Sequence, residues 1–382
     1  MPAFLSIFFI LMILYAALIE YYRRAWNQLQ GFEGNKLTPS TTISVIVSVR
    51  NEEKNIIPLL KSFEEQSYPK NLFQVVIIDD FSEDKTWSIL TDYKSEVLNT
   101  LFARLADTII SKEKIQSYKK KAIETGIRLS KGTLIVTTDA DCIFSPDWLL
   151  TMAQFYENTS AKFIAAPVKI VNDISLLSIF QTIDFLTLQG ITGASVYKRI
   201  HSMCNGANLA YERAAFEEVK GFEGIDKISS GDDMLLMHKI YKKYSNKVFY
   251  LKNIASVVST APVTTWKQFF QQRIRWASKA DSYDDKRIFW VLLLVYLLNC
   301  CFVILGIAAF FKSTWVFFFI LLLFAKVLIE FPFVYSVATF FQQQRLMKYF
   351  PLLQPLHIIY TVIAGWLGKF GSFEWKGRRI KK

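Results

Sequence analysis

Leu134-Ile135-Val136-Thr137-Thr138-Asp139-Ala140-Asp141 is the stretch on which the fold turns: an apolar run that ends on two acids one residue apart. Bounded by Gly132 before it and by the acids after it, the run reads as a short buried strand. The same pattern stands twice upstream. Ile43-Ser44-Val45-Ile46-Val47-Ser48-Val49 is rich in β-branched residues between polar flanks, and Val75-Val76-Ile77-Ile78 runs into Asp79-Asp80. Helical patterns fill the gaps. One opens at Asn51-Glu52-Glu53, runs to Gln66 and is closed by Tyr68-Pro69; another covers 117–130 and stops at Gly132. Strands alternating with helices at this spacing predict an α/β domain on a parallel, doubly wound sheet. Ligands bind such sheets beyond the carboxyl ends of the strands, where both acidic pairs fall. One such pair alone is an ordinary solvated turn or helix cap. Two in succession at strand ends predict a binding site.

From 143 to 283 the pattern loosens. A helix is expected over 175–197, where Gln181, Asp184 and Gln189 interrupt an apolar run and mark a core or interfacial helix instead of a membrane span. The passage Asn205-Gly206-Ala207-Asn208 follows, and a further helix opens after Asp233.

The ends of the chain differ in character. Its 382 residues have room for two ordinary domains. Hydrophobic residues at 52% and a mean hydropathy of +0.24 exceed what a soluble enzyme carries. The excess lies in residues 3–19, 288–311 and 313–337, near the roughly 20 residues that cross a hydrocarbon core. Segment 3–19 lacks the basic start and small-residue cleavage site of a signal peptide, and Arg23 and Arg24 follow it. With Lys286 and Arg287 before the second segment and Arg345 and Lys348 after the third, the positive-inside bias puts 22–287 and the part beyond 340 on the cytoplasmic face. The stretch 352–367 contains Gln354, Pro355, His357 and Gly365 and leads to a basic tail, Lys376 to Lys382, so an interfacial or re-entrant segment is expected there. The expected boundaries are an anchor over 1–24, a cytoplasmic domain over 40–283, two membrane helices over 286–340, and the interfacial segment with its tail over 350–382.

The formal charge of +12 is gathered beside the apolar segments. Anionic lipid head groups and a phosphorylated substrate are therefore the expected partners, and nucleic acid is not. Cys142, Cys204, Cys300 and Cys301 form no CxxC pair, so neither a zinc site nor a disulfide framework is indicated. His201, His238 and His357 are scattered and read as structural.

Four motifs carry chemistry. Asp139 and Asp141 at a strand end can direct two carboxylates at a hard cation such as Mg²⁺ or Mn²⁺, which a diphosphate would complete. Asp79 and Asp80 can accept hydrogen bonds from a base N–H or ribose hydroxyls. Lys121, one of three consecutive lysines, can meet phosphate charge or simply lie on a solvated face. Asp232 and Asp233 stand where a helix begins, which stabilises acids in any case, and one of them can serve as a general base. Gln272, Arg275 and Trp276 share one helical face, giving a guanidinium for a leaving diphosphate and a flat ring for a sugar or lipid chain.

Together these passages resemble the membrane-bound family 2 glycosyltransferases, which have a GT-A, Rossmann-like fold. The resemblance rests on Ser44–Val47 with Arg50–Glu53, Val76–Ser82, Asp139–Cys142, Asn205–Ala210, Gly231–Met234 and Gln272–Trp276, and covers about 42 to 280. It implies donor contacts from Asp79, Asp80, Lys121, Asp139, Asp141, Gln272 and Arg275, with the metal on Asp139 and Asp141. It implies catalysis by Asp233 and Arg275 and an acceptor site beside Trp276 and Asp232. Two positions depart from the family pattern: Gly231-Asp232-Asp233 stands where Thr-Glu-Asp is usual, and Phe81 replaces a small residue after the first acidic pair. The expected activity is an inverting transfer from a nucleoside diphosphate sugar, a UDP-sugar first, to a lipid or saccharide hydroxyl at the cell membrane. A processive polysaccharide synthase shares every motif and differs in product length. A membrane scaffold without activity is the rival from another class. Few polar groups in 288–337, chiefly Asn299, Lys312 and Glu330, argue against a lining for an extruded polymer.

Overall fold

A computed structural model describes residues 2–34, 39–109, 117–171, 173–200, 203–228, 231–279, 285–371, 373–375 and 378–380. The chain divides into two compact units, one of residues 30–169 with 201–261 and one of residues 1–29, 170–200 and 262–382.

The first unit holds the sheet. Its strands are β1 (Ile43–Val49), β2 (Phe73–Asp79), β3 (Thr100–Arg104), β4 (Leu134–Thr138), β5 (Cys142–Ile143), β6 (Phe163–Ala165), β7 (Val168–Ile170), β8 (Leu209–Glu212), β9 (Val248–Tyr250) and β10 (Val258–Thr260). Seven of them form one sheet in the order β3-β2-β1-β4-β8-β6-β9, and β5, β10 and β7 form a second. The near-continuous apolar runs of β1, β2 and β4 are buried, as expected of strands covered on both faces. Pairing of β1 with β2 and β4 is parallel, as the sequence predicts. The sheet as a whole is mixed, which corrects the expectation of a parallel one: β8 runs antiparallel to both β4 and β6. This reversal has a consequence for the site. A strand antiparallel to β4 begins at the edge where β4 ends, so Asn205–Asn208, just before β8, arrives beside the residues after Thr138.

The helix expected from Asn51 starts later, at Ile56, and ends at Glu64. The preceding residues are taken up by the loop after β2. Asn51 lies at φ +53, its N–H donates to Ser82 Oγ (3.0 Å), and the Glu52 N–H donates to Thr86 Oγ1 (2.8 Å). The helix Tyr118–Leu129 lies against β1 and β2 through Gly126, where an added Cβ would stand 2.5 Å from Ile46 Cγ2. Gly132 then turns the chain into β4, its N–H on Ser44 Oγ at 2.7 Å.

The second unit contains helices Pro2–Gln28, Leu176–Tyr197, Trp266–Ala277, Lys286–Ala309, Ser313–Phe340 and Phe350–Phe370. Among the described residues, four helical stretches are long and apolar enough to cross a membrane: Ala3–Gln28, Lys286–Ala309, Ser313–Phe340 and Gln344–Phe370. The last is one continuous helix over Phe350–Phe370 despite Pro355. Lys326 belongs among the polar groups of 288–337 and is fully buried. Its ammonium donates to Glu330 and to Gln354 Oε1 (2.6 Å), Gln354 Nε2 donates to Glu330 Oε2 (2.7 Å), and the Tyr15 hydroxyl donates to Glu330. Three apolar helices thus bury their polar groups on one another. Beyond Gly371, Phe373–Trp375 pairs antiparallel with Arg378–Ile380; the remainder of the basic tail lies outside the described residues.

Gly132 gives a direct check on the strand packing. An added Cβ would fall 2.4 Å from the Ser44 N and 2.6 Å from the Ile43 carbonyl carbon, both backbone atoms that move only with β1. Gly132→Ala should lower the unfolding free energy by about 3 kcal/mol. A variant with an unchanged thermal midpoint would contradict this close approach.

Candidate active site

Strand register sets the first dimension of the site. Val49 of β1 pairs with Asp79, and Val47 pairs with Thr138, the residue before Asp139. The two acidic pairs therefore leave the same sheet edge with β1 between them, about 10 Å apart at two strand spacings. Asp79 and Asp80 are both buried. Asp79 Oδ2 accepts a long bond from the Ser82 N–H (3.4 Å), whereas Oδ1 is buried without a hydrogen-bond partner. Buried carboxylate oxygens rarely lack a donor, so Oδ1 retains acceptor capacity.

Phe81 follows at φ +54, a left-handed conformation that costs a bulky residue about 1–2 kcal/mol. Arg50 holds it there: Nη1 donates to the carbonyls of Asp80 (3.0 Å) and Phe81 (2.7 Å), and Nη2 pairs with Glu83 at 3.1 Å. The Phe81 ring meets the edge of Tyr118 at 5.7 Å. The aromatic that departs from the family pattern thus caps a clamped turn beside the first acidic pair.

Three consecutive lysines on the helix Tyr118–Leu129 point about 100° apart and meet three fates. Lys119 Nζ lies 2.7 Å from Asp139 Oδ1 and 3.3 Å from Asp232 Oδ2. Lys120 is buried, donating to the carbonyls of Ile225 (2.6 Å) and Ile228 (2.7 Å). Lys121 pairs with Glu124 at 3.5 Å along its own helix. Lys119, which the sequence reading passed over in favour of Lys121, is the cation among the acids. Burial pulls its ammonium down, but the carboxylates of Asp139, Asp232 and Asp233 outweigh this and hold it above the ordinary lysine value.

Gly206 closes the cluster. A Cβ there would stand 3.3 Å from Asp232 Oδ2, a tight contact, and 3.4 Å from Lys119 Nζ and 3.7 Å from Asp233 Cβ, at ordinary packing distance. Asn208 anchors this passage from within the core: its Nδ2 donates to the carbonyls of Pro167 (2.7 Å) and Ser256 (2.8 Å), and its Oδ1 accepts from Trp148 Nε1 (3.0 Å). Asp233 caps the helix Met234–Lys243, its Oδ1 accepting the Met234 N–H at 2.7 Å. Asp141 is turned toward β10, where Oδ2 accepts from Thr260 Oγ1 at 3.1 Å. Burial, then Asp141 and Asp139, push the Cys142 thiol up, so this free cysteine is no nucleophile at neutral pH.

Asp139 and Asp232, far apart in sequence, thus meet at one ammonium, and Asp233 is the next residue along the chain. Gln272, Arg275 and Trp276 belong to the other unit, on the helix Trp266–Ala277, where all three are half-buried. His201 lies outside the described residues. Among the described residues no group of three or more His, Cys, Asp or Glu gathers to hold a metal unaided. The oxygen donors of Asp139 and Asp141 suit a hard divalent cation that takes its remaining ligands from phosphate and water.

The chain belongs to the family 2 glycosyltransferases. Residues 134–363 match Glycosyl transferase family group 2, and residues 44–220 match Glycosyl transferase family 2. It has the GT-A-like α/β fold of that class. A probable glycosyltransferase of Bacillus subtilis, YdaM, is 24% identical over 62% of this chain and 54% of its own length. A beta-monoglucosyldiacylglycerol synthase of Nostoc is 28% identical over 34% of this chain and 26% of its own length. The chain therefore spans about half or less of these relatives. Among solved structures, a mannosyltransferase of Pyrobaculum calidifontis in complex with GDP-Man and Mn²⁺ shares the fold at a TM-score of 0.59 and 17% identity, covering 96% of this chain and 97% of that one.

The three lysines supply the test of this geometry. Lys119→Met leaves Asp139 and Asp232 without their cation and should destabilise the unit by about 1–3 kcal/mol. Lys121→Met removes one partly exposed pair and should cost less than about 0.5 kcal/mol. Equal shifts of the thermal midpoint would mean that Lys119 does not hold the acids together.

Proposed function

We propose that this chain is an inverting glycosyltransferase of the cell membrane. It moves a sugar from a nucleoside diphosphate donor, a UDP-sugar first among those to test, to a hydroxyl on a lipid or membrane-associated acceptor. The observation that carries this reading is the convergence of Asp139 and Asp232 on Lys119, with Asp233 next in sequence, beside the sheet edge that bears Asp79 and Asp80. In this reading Asp79 and Asp80 take the base and ribose, in keeping with the partnerless Asp79 Oδ1.

Asp139 and Asp141 would hold a divalent cation, Mg²⁺ or Mn²⁺, which when bound with the diphosphate neutralises the charge of the leaving group. Asp233 accepts the proton of the acceptor hydroxyl. The hydroxyl oxygen forms a bond to the anomeric carbon as the bond from that carbon to the diphosphate oxygen breaks. The electron pair leaves with the diphosphate, Arg275 offers it a guanidinium, and the configuration inverts. Asp232, already tied to Lys119, and Trp276 would border the acceptor. Lys121 remains a further candidate for phosphate charge.

Four apolar helices and basic residues at their ends support an integral membrane protein whose catalytic unit faces the cytoplasm. The likeness to a protein named as a beta-monoglucosyldiacylglycerol synthase is in keeping with a lipid acceptor. Against an extruded polymer stands the mutual pairing of Lys326, Glu330 and Gln354, which leaves these side chains occupied with one another.

Purified protein in lipid, given a panel of nucleotide sugars and a lipid extract, should yield short glycolipids by mass analysis, and chelator should abolish the transfer. Asp233→Asn should lose at least about 1,000-fold in turnover while still binding the nucleotide. An inactive Asp232→Asn beside an active Asp233→Asn would move the base to the neighbouring residue. Long saccharide chains would replace single transfer by processive synthesis.

A further inference from the structure

Arg273 is the one residue of Gln272-Arg273-Ile274-Arg275-Trp276 that is charged, buried and unused by the proposed chemistry. Its guanidinium makes contacts in three directions. Nε and Nη2 both donate to Asp184 Oδ2, at 2.9 and 2.6 Å. Nη1 donates to the side-chain oxygen of Gln272 at 2.7 Å. Its plane lies over the rings of Phe269 and Trp276, 4.5 and 4.3 Å from their centres, one turn to either side on the same helix. The other oxygen of Asp184 accepts the hydroxyl of Tyr360. Asp184 sits on Leu176–Tyr197 and Tyr360 on Phe350–Phe370, so the unit ties three helices together. Phe185, next to Asp184, meets the Trp276 ring at 6.2 Å.

We infer that Arg273, Asp184 and Tyr360 form a positioning unit that presents Gln272 and Trp276 to the acceptor and leaving group. This rests on the proposed transferase reading and adds residues to it. Gln272 and Trp276 would otherwise each have several rotamers. Here one planar, five-donor group fixes the amide of the first and the ring of the second, and a lysine at 273 could not do both. Asp184 fixes the fork, and Tyr360 fixes Asp184. The polar residue that interrupts the apolar run 175–189 thereby has a function: its charge is the mate of Arg273.

A buried ion pair that serves only to hold helices together can be exchanged for apolar residues of similar size with little loss of stability. The triple variant Asp184→Leu, Arg273→Met, Tyr360→Phe removes the charges and the hydroxyl at once and deprives only the half-buried Gln272 oxygen of its donor. It should keep its thermal midpoint within about 5 °C of the wild-type chain. Its kcat should nonetheless fall about 100-fold, since Gln272 and Trp276 lose their holder. The KM for donor should change less than about threefold, because the acids assigned to the nucleotide are untouched. Arg273→Lys, which keeps the charge beside Asp184, should lose about tenfold in kcat with its fold intact. A folded triple variant with wild-type turnover would overturn the inference, and if the triple variant does not fold, wild-type turnover in Arg273→Lys does so. Absence of transfer by the wild-type chain with every donor is a different result: it fails the transferase reading itself.

Discussion

The ammonium of Lys119 is the interaction on which the candidate active site depends. Asp139 leaves the end of β4, and Asp232 and Asp233 open a helix far along the chain; all three carry the same charge. Two such charges about 4 Å apart repel by about 4 kcal/mol at the effective dielectric of a protein surface. A half-buried ammonium, 2.7 Å from one acid and 3.3 Å from the next, converts that repulsion into attraction. Gly206 lies against this pair, where an added Cβ would come 3.3 Å from Asp232 Oδ2. The same charge arrangement is suited to a diphosphate and its counter-ion, so one device serves both the stability of the fold and the chemistry proposed for it.

The sheet delivers these groups to one edge. Parallel pairing of β1 with β2 and β4 aligns the ends of the two acid-bearing strands, and the antiparallel β8 brings the Asn205–Asn208 passage to that same edge. A fully parallel sheet would have sent the start of β8 to the opposite side. The reversed strand is therefore what joins the glycine passage to the acids.

Much of this was legible in the residues. The apolar runs of β1, β2 and β4 mark buried strands, and those of β2 and β4 end on the acidic pairs. The helix Tyr118–Leu129 was read within one residue of each end. Which of three lysines faces the acids was not legible, because a shift of one residue in helical phase rotates the side chain by about 100°. The direction of β8 was hidden for a different reason: four residues of strand carry no sign of which way they run. The pairing of Asp184 with Arg273 and of Lys326 with Glu330 and Gln354 was hidden likewise. A polar residue in an apolar helix announces that it has a mate but not where along the chain the mate lies. Phe81 was unexplained in sequence, and its left-handed turn under Arg50 accounts for its position if not for the choice of an aromatic.

We propose that the acids beside Lys119 and those at the end of β2 form one site for a nucleoside diphosphate and a divalent cation. Calorimetric titration of UDP into the purified protein in lipid nanodiscs, with Mn²⁺ and then with chelator, tests it most directly. Binding should saturate and weaken at least about tenfold in chelator and in Asp139→Asn alike. Binding of equal strength in all three conditions would contradict it.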